Sequence, residues 1–184
     1  MKPRDDRDEF LLSTYWLSSW NASVQHAGVY VKSIAGTSDA NLKKQKSEFR
    51  KRVIEWIDAN LISQYRFSVS AKTHEKNLQA LADFGTEIGK PILRNGRYRI
   101  GVAQKLLNLQ LKYLWCMNRI SMPPHCPIDS IIQKCLEKDD RCPWTRMSNI
   151  GQYNKVIRKL SDVAKQANIS LAEWELAKYL SLIS

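Results

Sequence analysis

The heptapeptide SMPPHCP, Ser121–Pro127, cannot be helical. Proline fixes φ and has no N–H, and the residue before a proline is pushed out of the helical region. On both sides of this break the apolar residues return at helical spacing, so the chain reads as helices flanking one rigid loop. Turns are few, with only 7 Gly and 6 Pro in 184 residues. The expected fold is all-α: a single domain of about seven helices over residues 9–184, behind a flexible charged tail at residues 1–8.

Before the break, Phe10, Leu11, Tyr15, Leu17 and Trp20 predict a helix from Phe10 to Ile34, interrupted near Gly28. Ser38 or Thr37 should cap a second helix from Asp39 to Tyr65, with Leu42, Phe49, Val53, Trp56 and Ile57 inward. A third is predicted from Thr73 to Phe84, ending near Gly85. The segment GKPILRNGRYRIG then interrupts the pattern. Asn95-Gly96 tolerates positive φ at both positions and predicts a small β-hairpin over residues 92–100. The helical period resumes from Val102 to Asn118. Beyond the break come a short helix from Pro127 or Ile128 to Lys138, a loop at DDRCPWT and a helix from Asn149 to Ala167. SLAE, Ser170–Glu173, is a capping box for a last helix through Leu182.

The net charge is +11, large for this length, and points to an acidic partner: nucleic acid, and DNA before RNA. The start MKPRDDRDE is too charged for a signal peptide, and no apolar run reaches membrane-spanning length. A cytoplasmic location follows, nucleoid-associated if DNA is the partner. Cys116, Cys126, Cys135 and Cys142 should then be reduced, with Cys116 and Cys135 acting as small apolar helix residues.

The basic residues are unevenly placed. No acid occurs between Glu87 and Asp129, an interval that contains Lys90, Arg94, Arg97, Arg99, Lys105, Lys112 and Arg119. Facing Arg94 and Arg97 across a tight turn would repel unless an anion sat nearby. The turn into the helix at Gly101 and Ala103 offers backbone N–H groups to a phosphate. Arg94, Arg97, Arg99, Gly101, Ala103 and Lys112 are therefore candidate nucleic-acid contacts, with Tyr113, Trp115 and Trp144 as candidate stacking surfaces. On the second helix, Lys43, Lys46 and Arg50 belong to a very basic face, which is either simply solvated or a phosphate-contacting stripe.

GVAQK, Gly101–Lys105, followed by a helix and then by PID, Pro127–Asp129, resembles the helix-hairpin-helix DNA glycosylase superfamily of the 8-oxoguanine glycosylase and endonuclease III type. The resemblance spans Ile100 to Leu136. It departs from the family pattern at Ile100, Ala103 and Ile131, where a proline, a second glycine and a histidine are expected. It implies Lys105 as the nucleophile that attacks a sugar C1′, Asp129 as the assisting acid, and Gly101, Val102 and Ala103 as a phosphate-holding hairpin. The residue types suit that chemistry. An amine must be unprotonated to attack, a state favoured by neighbouring cations, desolvation and a helix N-terminus. Read without the resemblance, Lys105 is a solvent-facing helix lysine and Asp129 a helix cap.

No metal is expected, because Cys116, His125, Cys126, Cys135 and Cys142 lack CxxC or HxxxH spacing. No cofactor is expected either. His125 and Cys126 lie in the rigid loop, a place where function is often positioned, but sequence neighbours point apart and no third group is evident. His74 and His26 look incidental. The functional expectation is a nucleic-acid-binding protein with a glycosylase/lyase activity at Lys105 and Asp129. Its rivals are a non-enzymatic basic helical module and a module that docks an acidic protein.

Overall fold

The computed structural model describes residues 5–183. These residues form six α-helices: α1 Asp6–Val24, α2 Asp39–Asn60, α3 Ala71–Gly89, α4 Ile100–Cys116, α5 Ile150–Gln166 and α6 Leu171–Ile183. Short 3-10 turns lie between them, at Ile62–Arg66, Arg94–Gly96, Ile132–Cys135, Lys138–Asp140 and Trp144–Arg146. Residues 1–4 of the expected tail lie outside the described residues. Asp6–Asp8 are instead the first turn of α1, capped by Asp5, whose carboxylate accepts the Arg7 N–H.

The capping residues legible in the sequence do their work. Ser38 accepts from Asn41 N–H at the start of α2. Ser170 and Glu173 exchange bonds across the first turn of α6, Glu173 N–H to Ser170 Oγ and Ser170 N–H to Glu173 Oε2. α1 stops ten residues sooner than expected, at Val24, because His26 and Gly28 both take left-handed φ. α3 runs straight through Gly85 rather than ending there. The Tyr98 ring presses on that position so closely that a Cβ would lie 2.5 Å from its Cδ1, so the glycine serves packing and not termination.

The hairpin expected over residues 92–100 is absent, and no strand occurs among the described residues. Asn95 and Gly96 do adopt positive φ, 58° and 63°. However, the closing bond runs from Gly96 N–H to Leu93 C=O, so the turn centres on Arg94-Asn95, one residue away from the hairpin register. The backbone of Ile92–Arg94 is already engaged elsewhere. Val31 N–H donates to Ile92 C=O and Arg94 N–H to Val29 C=O, forming a single antiparallel bridge of Tyr30 with Leu93. After the turn, Tyr98 N–H donates to Thr86 Oγ1 on α3 rather than back across a ribbon. The short helix expected after Pro127 shrinks to the 3-10 turn Ile132–Cys135.

α4 is the central element. Along it Val102, Ala103, Leu106, Leu107 and Leu111 are fully buried, and it packs against α1, α3, α5 and the Trp144–Arg146 turn. A helix buried nearly all round must satisfy its polar side chains internally. Gln104 does so by pairing with the backbone of Ile128: its Oε1 accepts Ile128 N–H at 3.0 Å and its Nε2 donates to Ile128 C=O at 2.8 Å. One side-chain amide thus ties the proline-rich loop to the core helix.

The start of α4 is covered. Gly101 N–H donates to Met147 C=O, and a Cβ on Gly101 would lie 1.7 Å from the Trp144 carbonyl oxygen. That contact is with backbone, so it cannot be relieved by a side-chain rotation. Gly101→Ala should therefore displace the segment 143–147 and destabilise the fold by about 3 kcal/mol or more. A lowered urea midpoint with a changed near-ultraviolet signal from Trp144 checks this. Wild-type values for both would contradict the packing.

Candidate functional site

Lys105 and Asp129 meet. Lys105 Nζ donates to Asp129 Oδ2 at 2.6 Å, from the second turn of α4 to the residue that follows the proline loop. Lys105 is not the solvent-facing helix lysine its sequence context suggested, since only 8% of it is exposed. Asp129 also acts as a cap: Oδ1 accepts Ile131 N–H at 2.9 Å and Ile132 N–H at 2.8 Å. Burial raises its carboxyl, but Lys105 and those two N–H groups outweigh burial and hold it below the ordinary value. The carboxylate is thereby used on both oxygens. The Lys105 nitrogen is bonded to it on one side, with the Trp144 ring centre 6.0 Å away.

The other expected phosphate contacts near the start of α4 are covered. Gly101, Val102 and Ala103 form the first turn of α4 itself, beneath the Trp144–Met147 segment, and are not a hairpin open to a ligand. Lys112 is 8% exposed and ion-paired with Glu175 of α6 at 2.7 Å, with its ammonium over the Tyr179 ring. Burial outweighs the pull of Lys112 and pushes the Glu175 carboxyl up. Arg119 pairs with Asp8 of α1 at 2.6 Å. Three of the seven cations in the acid-free interval therefore meet carboxylates supplied from beyond it.

The arginines around the Asn95 turn remain. Arg94, Asn95, Arg97 and Arg99 line an open groove of about 410 Å³ together with Arg146 and Ser148. No carboxylate lines it, and among the described residues none of these four arginines makes an ion pair. A neighbouring crevice shares Arg97, Arg99 and Ser148 and carries Asp83, whose carboxylate accepts from Gln79. Arg99 is anchored through Nη2 to the carbonyls of Ala27 and Gly28. Burial, then the charge of Arg94, lowers the affinity of the Arg99 guanidinium for its proton. Arg146 was not singled out in the sequence. It lies 47 residues from Arg99, and only the packing of the Trp144–Arg146 turn on α4 brings it here.

The 27–31 segment lies between the basic face of α2 and the arginines of the groove. Lys43, Lys46 and Arg50 share that face at helical spacing. Lys46 Nζ lies 5.3 Å from the centre of the Tyr30 ring, and the charge of Arg50 also falls on Tyr30. Tyr30 is bridged to Leu93, the residue before Arg94, and Arg94 Nη1 lies against Gly28. The basic face of α2 thus reaches the 27–31 segment, whose residues 27 and 28 in turn meet Arg94 and Arg99.

The stacking candidates are already engaged. Tyr113 stacks on Tyr15 at 4.7 Å between ring centres, Trp115 packs partly buried against the core, and Trp144 is buried beside Lys105. Cys116 and Cys135 are exposed, contrary to the expectation of apolar burial. Cys126 is fully enclosed, and burial pushes its thiol far up, which is the wrong direction for a nucleophile. No group of His, Cys, Asp and Glu that could hold a metal occurs among the described residues, and none of their helices is long and apolar enough to cross a membrane.

His125 and His74 have a different role. Tyr153 OH accepts from Asn108 and is 2.8 Å from His125 Nδ1; Tyr65 OH accepts from Asn77 and is 2.7 Å from His74 Nδ1. In each half the amide uses the tyrosine lone pair, so the tyrosine proton is free for the imidazole. The two rings are 4.9 Å apart, in the interior. His74 looks incidental in the sequence because a single buried histidine leaves no pattern in the chain.

Burial, aided by the neighbouring ring, keeps His74 well below its ordinary value, and burial alone lowers His125 to about 4. In the unfolded chain both would take a proton near pH 6.5. The unfolded state therefore binds more protons between those values, and stability is lost as pH falls from about 6.5 to 4. His125 alone accounts for about 3 kcal/mol of that loss. Glu175, raised by burial, acts in the opposite sense at the lower end of the window. Urea unfolding at pH 7, 5.5 and 4 should give a falling free energy, and His125→Gln should be less stable at pH 7 with a shallower pH slope. A flat profile in the wild type would contradict the buried pair.

No protein family, curated protein or solved structure matches this chain.

Proposed function

We propose that this protein binds nucleic acid through the strip that runs from Lys43, Lys46 and Arg50 on α2 to the groove of Arg94, Arg97, Arg99 and Arg146. The observation that carries the reading is the groove: four guanidinium groups around one concavity without a lining carboxylate. Uncompensated like charges are unfavourable without a counterion, and a polyanion that releases its own counterions relieves them. Acidic protein surfaces offer the same sign, but a phosphate backbone matches guanidinium geometry repeatedly along a strip.

Anisotropy titrations of a labelled duplex across a salt series test this. Log affinity should fall linearly with log salt, and Arg94→Ala and Arg97→Ala should each make the slope shallower by about 0.9. Lys165→Ala is the control. It lies at the far end of α5, roughly 25 Å from the groove by helix rise, and its loss should leave the slope unchanged. Equal effects at Lys165 and Arg94 would dismiss the groove as the interface.

A second reading, base excision by Lys105 with Asp129, is favoured by one observation, their 2.6 Å contact. Against it stand the carboxylate bonds spent on Ile131 and Ile132 and the covered turn at Gly101. Attack would require Lys105 Nζ to leave that contact as the unprotonated amine. Incubation with duplexes bearing oxidised, alkylated or abasic lesions, followed by borohydride, gives the outcome directly. An adduct lost in Lys105→Gln supports excision chemistry. The absence of any adduct or base release leaves the pair as a structural tie between α4 and the loop.

A further inference from the structure

The groove gathers more positive charge than one internal phosphodiester can balance. Four arginines line about 410 Å³, whereas an internal phosphodiester brings a single negative charge. Two helix starts border the groove: Arg99 is the N-cap of α4, whose first turn is covered, and Ser148 immediately precedes Asn149, the N-cap of α5. The α5 start adds partial positive charge to the concavity. One of the arginines is held in place. Arg99 is fixed by the carbonyls of Ala27 and Gly28, and Arg94 lies against Gly28. Cations that repel one another, as Arg94 and Arg99 do, are best matched by a compact anion of two or more charges. A phosphomonoester carries nearly two at neutral pH, and a diphosphate more.

We infer that the arginine groove is a site for a phosphomonoester or diphosphate group, presented by the phosphorylated end of a nucleic-acid chain, while the α2 strip holds the diester backbone leading to it. The inference rests on the nucleic-acid reading for its partner but not for its chemistry. Arg94, Arg97 and Arg146 are the exposed members, suited to close on the phosphate oxygens in forked, two-bond contacts. Arg99 provides the held base of the site. The groove thereby acquires a polarity, with the chain terminus at Arg146 and the following nucleotides directed toward Tyr30 and Lys46.

The test compares one labelled single strand in three forms, with a 5′-phosphate, a 3′-phosphate or hydroxyl ends, at fixed salt. Pyrophosphate and a nucleoside triphosphate serve as competitors, and their own binding is followed by calorimetry. One phosphorylated form should bind about tenfold or more tightly than the hydroxyl form, as expected for an added set of charge-assisted bonds. Pyrophosphate should erase that increment at concentrations that leave hydroxyl-ended binding in place. Arg146→Gln and Arg97→Gln should also erase it, and circular dichroism confirms that they fold. Equal affinity for all three strands overturns the end-phosphate assignment and leaves backbone binding standing. Binding of pyrophosphate and triphosphate without any oligonucleotide binding keeps the phosphate site but overturns its nucleic-acid source and the wider reading. Absence of binding to all of them overturns both.

Discussion

The structure depends on the way α4 satisfies its buried polar side chains. Gln104, Lys105, Asn108 and Lys112 lie on a helix with almost no solvent contact, and each draws a partner from a distant segment. Gln104 grips the Ile128 backbone, Lys105 the Asp129 carboxylate, Asn108 the Cys126 carbonyl and Tyr153 hydroxyl, and Lys112 the Glu175 carboxylate. Such groups specify their partners strictly, because each one left unsatisfied in the interior costs about 1–3 kcal/mol, and more for a charge. The seam therefore sets where the proline loop, α5 and α6 can dock.

The same seam sorts the positive charge. Carboxylates from the loop, α6 and α1 are spent on Lys105, Lys112 and Arg119. No carboxylate is spent on the arginines beside α4's first turn, which gather with Arg146 around one groove. A chain with a charge of +11 could have spread its excess evenly. Here internal pairing removes it from one end of the acid-free interval and leaves it concentrated at the other. The covered Gly101 turn belongs to this arrangement, since the Trp144–Arg146 segment that blocks it also delivers Arg146.

Much of the local structure was legible. The helix caps Ser38 and Ser170, the apolar stripe of α5 and the positive φ of Asn95 and Gly96 all follow from side-chain chemistry within a few residues. The errors share a cause. Gly85 reads as a helix end in the sequence because its role in accommodating Tyr98 is a contact between segments. The hairpin failed because the backbone of Ile92–Arg94 bonds to Val29–Val31, some sixty residues earlier. His74 leaves no local pattern, yet it forms half of a buried histidine–tyrosine arrangement assembled from α3, α4, α5, the Ile62–Arg66 turn and the proline loop.

By itself the sequence determined the helical class, most helix starts, the rigid break at SMPPHCP and the strongly basic balance, since periodicity, capping, proline sterics and charge are properties of neighbouring residues. Only the tertiary structure decided which basic residues are left without a carboxylate among the described residues. Lys105 and Lys112, prominent in the sequence, are buried in ion pairs, while Arg146, which went unnoticed, joins Arg94, Arg97 and Arg99. A cation's availability depends on which carboxylate folding brings to it, and the carboxylates that meet the two lysines of α4 come from up to 63 residues away, as Lys112 and Glu175 do.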